Sequence, residues 1–461
     1  MKVTVIGIGR LGAPYAAALA DIGHDVLGVE TDPSALARLQ AGQAPFDEPG
    51  LAETIGRHTA TGRMRFTHSY EQAVAFADLH FVCVPTPQKA GALAADLSFI
   101  TAAVTGLAQR AQRDCLIVAK SSVPVGTTRH LGAETAKAAR PGVTVRIAYS
   151  PDFLRESTSM TDAAHPSRIV VGIPAQRPED ETLLRAVWDP WVKAGVDLVV
   201  TDLETAELAK SAANGFLAAK ISYINFISAL CEKTGADIRA LAHSMGLDPR
   251  IGPAMLDAGL GFGGSCIPKD LRALYERSVE LHVPEASILR GIDAINIRRR
   301  RRVLALTREA VGGTLTGTRI AIWGAAFKPG TDDIRDSPAL AVALDLHTAG
   351  ADVSIHDPKA LPAVRAEAPQ LRAVDAPDEV LDGTHVLLHL TNWETYQHAD
   401  PAALADRMAH PAVIDARGAL NATAWRRAGW SLTALGTRYS DGGRHEHPAF
   451  AEVRLLAAAR H

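Results

Sequence analysis

Lys2-Val3-Thr4-Val5-Ile6-Gly7-Ile8-Gly9-Arg10-Leu11-Gly12 opens the chain with a short apolar strand and a glycine loop. An alanine-rich stretch from Ala13 to about Ile22 follows and reads as a helix. Gly23-His24-Asp25 turns the chain into Val26-Leu27-Gly28-Val29, and this second strand ends at Glu30. Strand, GxGxxG loop, helix and a second strand closed by an acid make up the dinucleotide fingerprint in its proper setting. Gly7 serves the tight turn, Gly9 lets backbone approach a pyrophosphate, and Gly12 lets helix and strand pack. Arg10 and Leu11 complete the loop, and the helix N-terminus faces the phosphates. Glu30 is placed to bond ribose hydroxyls and would repel a 2′-phosphate, so NAD is expected over NADP.

Strand-like and helix-like segments alternate from there to about Val200, as in a doubly wound parallel sheet. Leu79 to Val84 runs into Pro85-Thr86-Pro87, Cys115 to Ala119 into Lys120-Ser121-Ser122, and Val145 to Tyr149 into Ser150-Pro151-Asp152. Ligands collect at the carboxyl ends of such strands, so all three loops belong on one rim. Leu203 to about Gly235 lacks proline and is rich in helix formers, and a second helical stretch runs from about Glu285 to Val311. Near Gly317 the opening pattern returns. Arg319-Ile320-Ala321-Ile322-Trp323-Gly324 echoes Lys2 to Gly7, and Gly350 to Asp357 echoes Gly23 to Glu30. Its loop, Gly324-Ala325-Ala326, has lost the later glycines and suits a different nucleotide. The expected fold is α/β: two doubly wound Rossmann-like domains joined by a long helical middle segment. The boundaries fall at residues 1–200, 201–312 and 313–461.

The bulk numbers narrow the partners. The chain has 461 residues, 47% of them hydrophobic, and a formal charge of −3, so nothing points to nucleic acid or a membrane surface. A strand at the very N-terminus leaves no room for a signal peptide, and no apolar stretch suits a membrane span. Cys83, Cys115, Cys231 and Cys266 form no CxxC pair, which argues against structural zinc and for reduced cytoplasmic thiols. The five arginines Arg298 to Arg302 read as a solvated helix end, or more sharply as an anion or subunit contact.

Gly261-Phe262-Gly263-Gly264-Ser265-Cys266-Ile267-Pro268-Lys269-Asp270 carries the chemistry. Pro268 fits the first turn of a helix. A thiol just ahead of that turn feels unpaired N–H groups and the positive end of the dipole, and Lys269 adds charge. Both predict a lowered pKa and a nucleophilic thiolate. The glycines are expected to let backbone approach a ligand.

Together with Gly7 to Gly12, these residues resemble the UDP-glucose/GDP-mannose dehydrogenase family. Further stretches match in family order over nearly the whole chain: Glu48-Pro49-Gly50-Leu51, Lys120 to Thr127, Phe153-Leu154-Arg155-Glu156, Glu207 to Asn214, Arg250-Ile251-Gly252, Phe327-Lys328-Pro329, Thr331 to Pro338 and Asp415-Ala416-Arg417. The resemblance implies an enzyme that oxidises the C6 alcohol of a nucleotide sugar to a carboxylate with two NAD and no metal. The mixture of motifs favours UDP-glucose to UDP-glucuronate, with GDP-mannose or a UDP-N-acetylhexosamine as alternative substrates. A catalytically weakened nucleotide-sugar and NAD binding protein is the reading from another class.

The resemblance also implies roles. Cys266 would form a thiohemiacetal and then a thioester. Lys210 and Asn214, four apart and so on one helix face, would stabilise the oxyanion, where a donor contributes about 3 kcal/mol. Asp270 would position water or take a proton, Asp152 would aid thioester hydrolysis, and Ser122 would supply a hydroxyl. Glu30, Thr86, Ser121, Glu156, Lys269 and Arg335 would join the glycine loop at NAD. Phe153, Leu154, Arg250, Phe262, Gly263, Phe327, Lys328 and Arg417 would hold the nucleotide sugar. The Arg250-type residue reaches a neighbouring subunit's site in this family, implying at least a homodimer. Four positions depart from the family pattern: Asp152 stands for the usual Glu, Ser122 for Thr, Ser157 for Gly and Pro85 for Gly.

Overall fold

The computed structural model describes residues 1–175 and 177–437. The final stretch of the expected third segment, 438–461, lies outside the described residues. The chain divides into two compact units. The first comprises Met1–Ala219, Ser265–Asp293 and Gly330–Asp332; the second comprises Lys220–Gly264, Ala294–Pro329 and the chain from Asp333 onward. The helix Leu203–Thr234 runs from one into the other.

The first unit is built on eight strands: β1 (Lys2–Ile6), β2 (Asp25–Val29), β3 (Met64–Thr67), β4 (Leu79–Val82), β5 (Cys115–Ala119), β6 (Val145–Tyr149), β7 (Ile169–Gly172) and β8 (Leu198–Thr201). Their order is β3-β2-β1-β4-β5-β6-β7-β8. The first six run parallel, while β7 meets β6 antiparallel through Tyr149 and Gly172. Strands covered on both faces must be apolar throughout, and Cys115-Leu116-Ile117-Val118-Ala119 is buried at every position. The helix Gly12–Asp21 is alanine-rich because Gly12 to Ala20 are all buried, and small side chains let it lie close to the sheet. Strand order reverses between β1 and β4, which makes their carboxyl ends the topological switch point. The loops after β4, β5 and β6 share that rim, as expected.

The second unit repeats the plan with β9 (Arg319–Trp323), β10 (Asp352–His356), β11 (Arg372–Ala373), β12 (Val386–His389), β13 (Ala412–Asp415) and β14 (Ser431–Ala434). These order as β11-β10-β9-β12-β13-β14, all parallel. Its core sets Trp323 stacked on Tyr396 at 4.7 Å and edge-on to Trp425.

The arginine run departs from expectation. It lies inside the helix Ser287–Ala310, not at its end. Arg299 is buried, donating to Gly259 O at 3.0 Å and Ser228 Oγ at 3.1 Å, and Arg302 pairs with Glu232 at 2.9 Å. Part of the run is therefore core scaffolding.

Candidate active site

The cofactor end begins at the turn after β1. Gly7 has φ +87°, which starts the turn, and its N–H donates to Val29 O at 2.8 Å as the last bond of the β1–β2 ladder. A Cβ on Gly12 would stand 1.8 Å from Gly7 O, so helix and loop touch only because that side chain is absent. A Cβ on Gly9 would meet nothing within 4 Å. The loop is thus closed where it packs and open where a pyrophosphate would lie. Glu30 follows β2 directly and accepts from Ile8 N at 3.1 Å and from the N–H groups of Thr31 and Asp32. Its carboxylate stands against the loop, where ribose hydroxyls would be met. Leu11 is the N-cap of the helix, and Arg10 pairs with Asp332 at 2.5 Å while lying over the Phe46 ring. These residues fit a dinucleotide.

Along the same rim, Thr86 donates to Ser122 O at 2.8 Å and Ser121 to Val84 O at 2.6 Å, tying the loops after β4 and β5 together. A narrow cleft is lined there by Thr86, Ser122, Lys210, Lys269, Asp270 and Arg277, among others.

Cys266 is the N-cap residue of the helix Ile267–Glu280, whose first turn contains Pro268. Around it the first unit gathers groups from three distant stretches. Lys210, 4% exposed, sits 3.6 Å from Asp152. Asn214 donates to Asp270 Oδ2 at 2.7 Å, and Lys269 donates to Asp270 Oδ1 at 2.6 Å. Ser265 Oγ lies 3.5 Å from the Cys266 sulfur and donates to Glu156 at 2.8 Å. The helical spacing of Lys210 and Asn214 brings both into this buried cluster.

The thiol itself corrects one expectation. Burial pushes its pKa up; Lys210 opposes this, Asp152 and Asp270 add to the rise, and Lys269 opposes. Desolvation of the anion outweighs the two cations, so the free thiol is held protonated. For Lys210, burial acts to lower the pKa, but Asp152, Cys266 and Asp270 outweigh it and leave the value raised. Lys210 is a fixed cation and hydrogen-bond donor.

The glycines before the thiol also serve packing. Within the second unit, a Cβ on Gly261 would meet Asn296 Oδ1 at 2.2 Å, and one on Gly263 would meet Asp336 O at 2.4 Å. They are needed for packing against the protein's own atoms. Phe262 is buried there, its N–H held by Asn296 at 2.8 Å. Arg417 lies in the same neighbourhood, donating to Leu390 O at 2.6 Å, Gly261 O at 3.1 Å and Phe327 O at 3.4 Å. Burial lowers its pKa to about 10. Lys328 lies 5.7 Å from the Phe327 ring centroid. Arg335 also belongs to the second unit and grips Asp333 at 2.6 Å. Arg250 stands 87% exposed, paired with Asp248. Phe153 and Leu154 belong to the first unit, where Lys210 lies 5.6 Å from the Phe153 ring.

Two positioning residues carried no role in the sequence reading. Glu207, one turn before Lys210, accepts from Gly126 N and Thr128 N at 2.6 Å each and so caps the helix Thr127–Ala138. Buried Glu48 accepts from Ser157 N at 2.9 Å and Ser159 N at 2.8 Å, holding the turn after Glu156, where Ser157 has φ +68°. Their signal was an acid inside each matched motif.

Three family models match successive stretches of the chain: the NAD binding domain of the UDP-glucose/GDP-mannose dehydrogenase family over residues 1–192, its central domain over 204–298 and its UDP binding domain over 321–422. The chain belongs to this family. It is accordingly an NAD-dependent oxidoreductase. The UDP-glucose 6-dehydrogenase of Rhizobium meliloti (strain 1021) is 37% identical over 439 residues, 95% of this chain and 99% of that protein. The UDP-glucose 6-dehydrogenase YwqF of Bacillus subtilis (strain 168) is 37% identical over 90% of this chain and 93% of its own. Among solved structures, a UDP-glucose dehydrogenase from Pyrobaculum islandicum superposes with a TM-score of 0.87 at 34% identity, covering 95% of this chain and 98% of that one. Among the described residues no helix is long and apolar enough to cross a membrane, and no group of His, Cys, Asp or Glu could hold a metal ion.

Proposed function

We propose that this enzyme oxidises the C6 alcohol of UDP-glucose to the carboxylate of UDP-glucuronate, through a thiohemiacetal and a thioester on Cys266. The observation that carries this reading is the gathering of Cys266, Lys210, Asn214, Asp270 and Asp152 at one helix start beside the cofactor rim. The relatives' substrate supports the choice of sugar. NAD, when bound, supplies the hydride acceptor for both oxidations.

Lys210 and Asn214 present an ammonium and an amide to the oxygen on C6, where negative charge develops first as alkoxide and then in the tetrahedral adducts. As the first hydride leaves C6, the hydroxyl proton passes through water to Asp270; Cys266 Sγ then adds to the aldehyde carbon, and its proton leaves by the same route. Because the resting thiol is held protonated, Lys210 is what makes this affordable at neutral pH. Loss of hydride leaves the thioester. Water then adds to the acyl carbon, Asp152 accepts its proton, the C–S bond breaks and the thiol is restored. Asp270, fixed by Asn214 and Lys269, orients water and Lys269 alike. In the second unit, Arg417 frames the walls around Phe262, Gly263 and Phe327, while Lys328 and Arg250 offer charge to a diphosphate. Thr86, Ser121, Ser122, Glu156 and Arg335 are assigned to the cofactor side.

The enzyme works as a homodimer or larger assembly. Leu208, Phe216, Tyr223, Phe226 and Leu230 form one exposed stripe along the helix Leu203–Thr234, and Phe216 is 68% exposed. Four unpaired cysteines fit a cytoplasmic location. Measuring NADH release across a panel of nucleotide sugars tests the assignment. UDP-glucose should give the highest kcat/KM; GDP-mannose or a UDP-N-acetylhexosamine exceeding it would overturn the choice of substrate. Light scattering at working concentration should give at least a dimer, and a monomer would remove the interface.

A further inference from the structure

Lys120 is a buried cation that the mechanism above leaves unused. It follows β5 directly and is 5% exposed. Its Nζ donates to Ser150 O at 3.1 Å and reaches Ser150 Oγ at 3.4 Å, and it stands 4.3 Å from the centroid of the Tyr15 ring. The ionisable groups that face it are Cys83, Asp152 and Lys210. Burial brings its pKa down to about 8, against the upward pull of Cys83 and Asp152. An ammonium buried this deeply is costly, and hydrophobic residues of similar volume usually serve stability as well or better.

What it holds is the start of the turn that carries Asp152. Ser150 N also donates to Ala119 O at 2.9 Å, so Ser150 is fixed from both sides. Pro151 has one φ available, which transmits that position to the next residue. Asp152 then accepts from Leu154 N at 3.1 Å and ends 3.6 Å from Lys210. An aspartate has one rotatable bond fewer than a glutamate, so the reach of its carboxylate depends on where the backbone puts it.

We propose that Lys120 is a positioning residue for the hydrolytic half of the reaction, holding the Ser150–Asp152 turn so that the Asp152 carboxylate faces the acyl carbon on Cys266. This rests on the functional reading given above. In the step concerned, a water oxygen adds to the thioester carbon and its proton goes to Asp152. The C–Sγ bond breaks, sulfur leaves as thiolate and takes up a proton, and the product is the free carboxylate; no electrons change hands. Both hydride transfers come earlier and do not need Asp152 in this pose.

The test is pre-steady-state NADH formation by the full-length enzyme with UDP-glucose and excess NAD, comparing wild type with Lys120→Met. The variant should keep a burst of two NADH per active site. Its steady-state kcat should fall about thirtyfold while KM for UDP-glucose stays within about twofold. Acid-quenched variant protein should carry the sugar acyl adduct on Cys266 by intact mass. Ser150→Ala leaves the lysine in place and removes one acceptor. It should lower the same rate about threefold, and it decides the matter if the methionine variant does not fold. Hydrolysis at the wild-type rate, or a burst lost in proportion to kcat in folded protein, would overturn the role given to Lys120 and leave the functional reading standing. No NADH from wild-type enzyme with any UDP-hexose would remove that reading, and this one with it.

Discussion

The two units contain the same turn put to opposite uses. After β1 and after β9 the chain reverses at a glycine with positive φ, +87° at Gly7 and +108° at Gly324. Each glycine N–H donates at 2.8 Å to the carbonyl of the neighbouring strand's last residue, Val29 in one and His356 in the other. There the likeness ends. The first helix begins at once, at Gly12, whereas the second waits until Pro338. Gly9 is open, but Ala326 is fully buried and its carbonyl accepts from Thr391. Glu30 lies against the loop with partial exposure. Its counterpart Asp357 is 1% exposed and accepts from Ala325 N, Ala326 N, Lys359 N, Ala360 N and the Trp393 indole. One turn leaves its loop backbone open beside its acid; the other fills that place with its own side chains. A strand ending in a positive-φ glycine is therefore no sign by itself of a dinucleotide site.

The largest expected effect separates packing glycines from the open one. Gly12→Ala should destabilise the protein by about 3 kcal/mol, because a methyl group meets backbone that cannot retreat. Gly9→Ala should melt like wild type and raise KM for NAD. Equal melting of the two variants, by calorimetry, would break the distinction.

Next come the two acids. Asp357→Asn places amide hydrogens among N–H donors and should cost about 2 to 3 kcal/mol without altering cofactor choice. Glu30→Gln should change stability by less than about 0.5 kcal/mol. It should narrow an NAD over NADP preference of at least about tenfold, mainly by weakening NAD. If Asp357→Asn shifted cofactor choice, the second turn would have to be reread as a dinucleotide site.

Much of this was legible in the sequence. The Rossmann repeats, the long helix and the N-cap position of Cys266 were readable because strand periodicity, glycine punctuation and a first-turn proline are local signals. The i, i+4 pairing of Lys210 with Asn214 was readable for the same reason. The thiol's pKa was not, since it depends on burial by residues from Asp152 to Lys210 that only the fold brings together. Nor was the packing use of Gly261 and Gly263, whose partners Asn296 and Asp336 lie far along the chain. The roles of Glu48, Glu207 and Arg299 stayed hidden for that reason too.

A smaller effect sharpens the account of the thiol. Alkylation of Cys266 in the free enzyme should rise with pH, with its midpoint above the ordinary thiol value of 9.0. Lys210 is the main group opposing that rise, so Lys210→Met should move the midpoint further up and slow alkylation at pH 8 several-fold, by about half to one log unit. A midpoint below the ordinary value would restore the helix start and Lys269 as the dominant influences.

The central claim is four-electron oxidation through Cys266, and the ratio of NADH formed to UDP-glucose consumed tests it most directly. Wild-type enzyme should give two NADH for each sugar, with UDP-glucuronate as product and no free aldehyde. Cys266→Ser should give no net acid, since serine forms an alkoxide poorly at neutral pH. One NADH per sugar with aldehyde as the end product, or wild-type turnover by Cys266→Ser, would contradict the account.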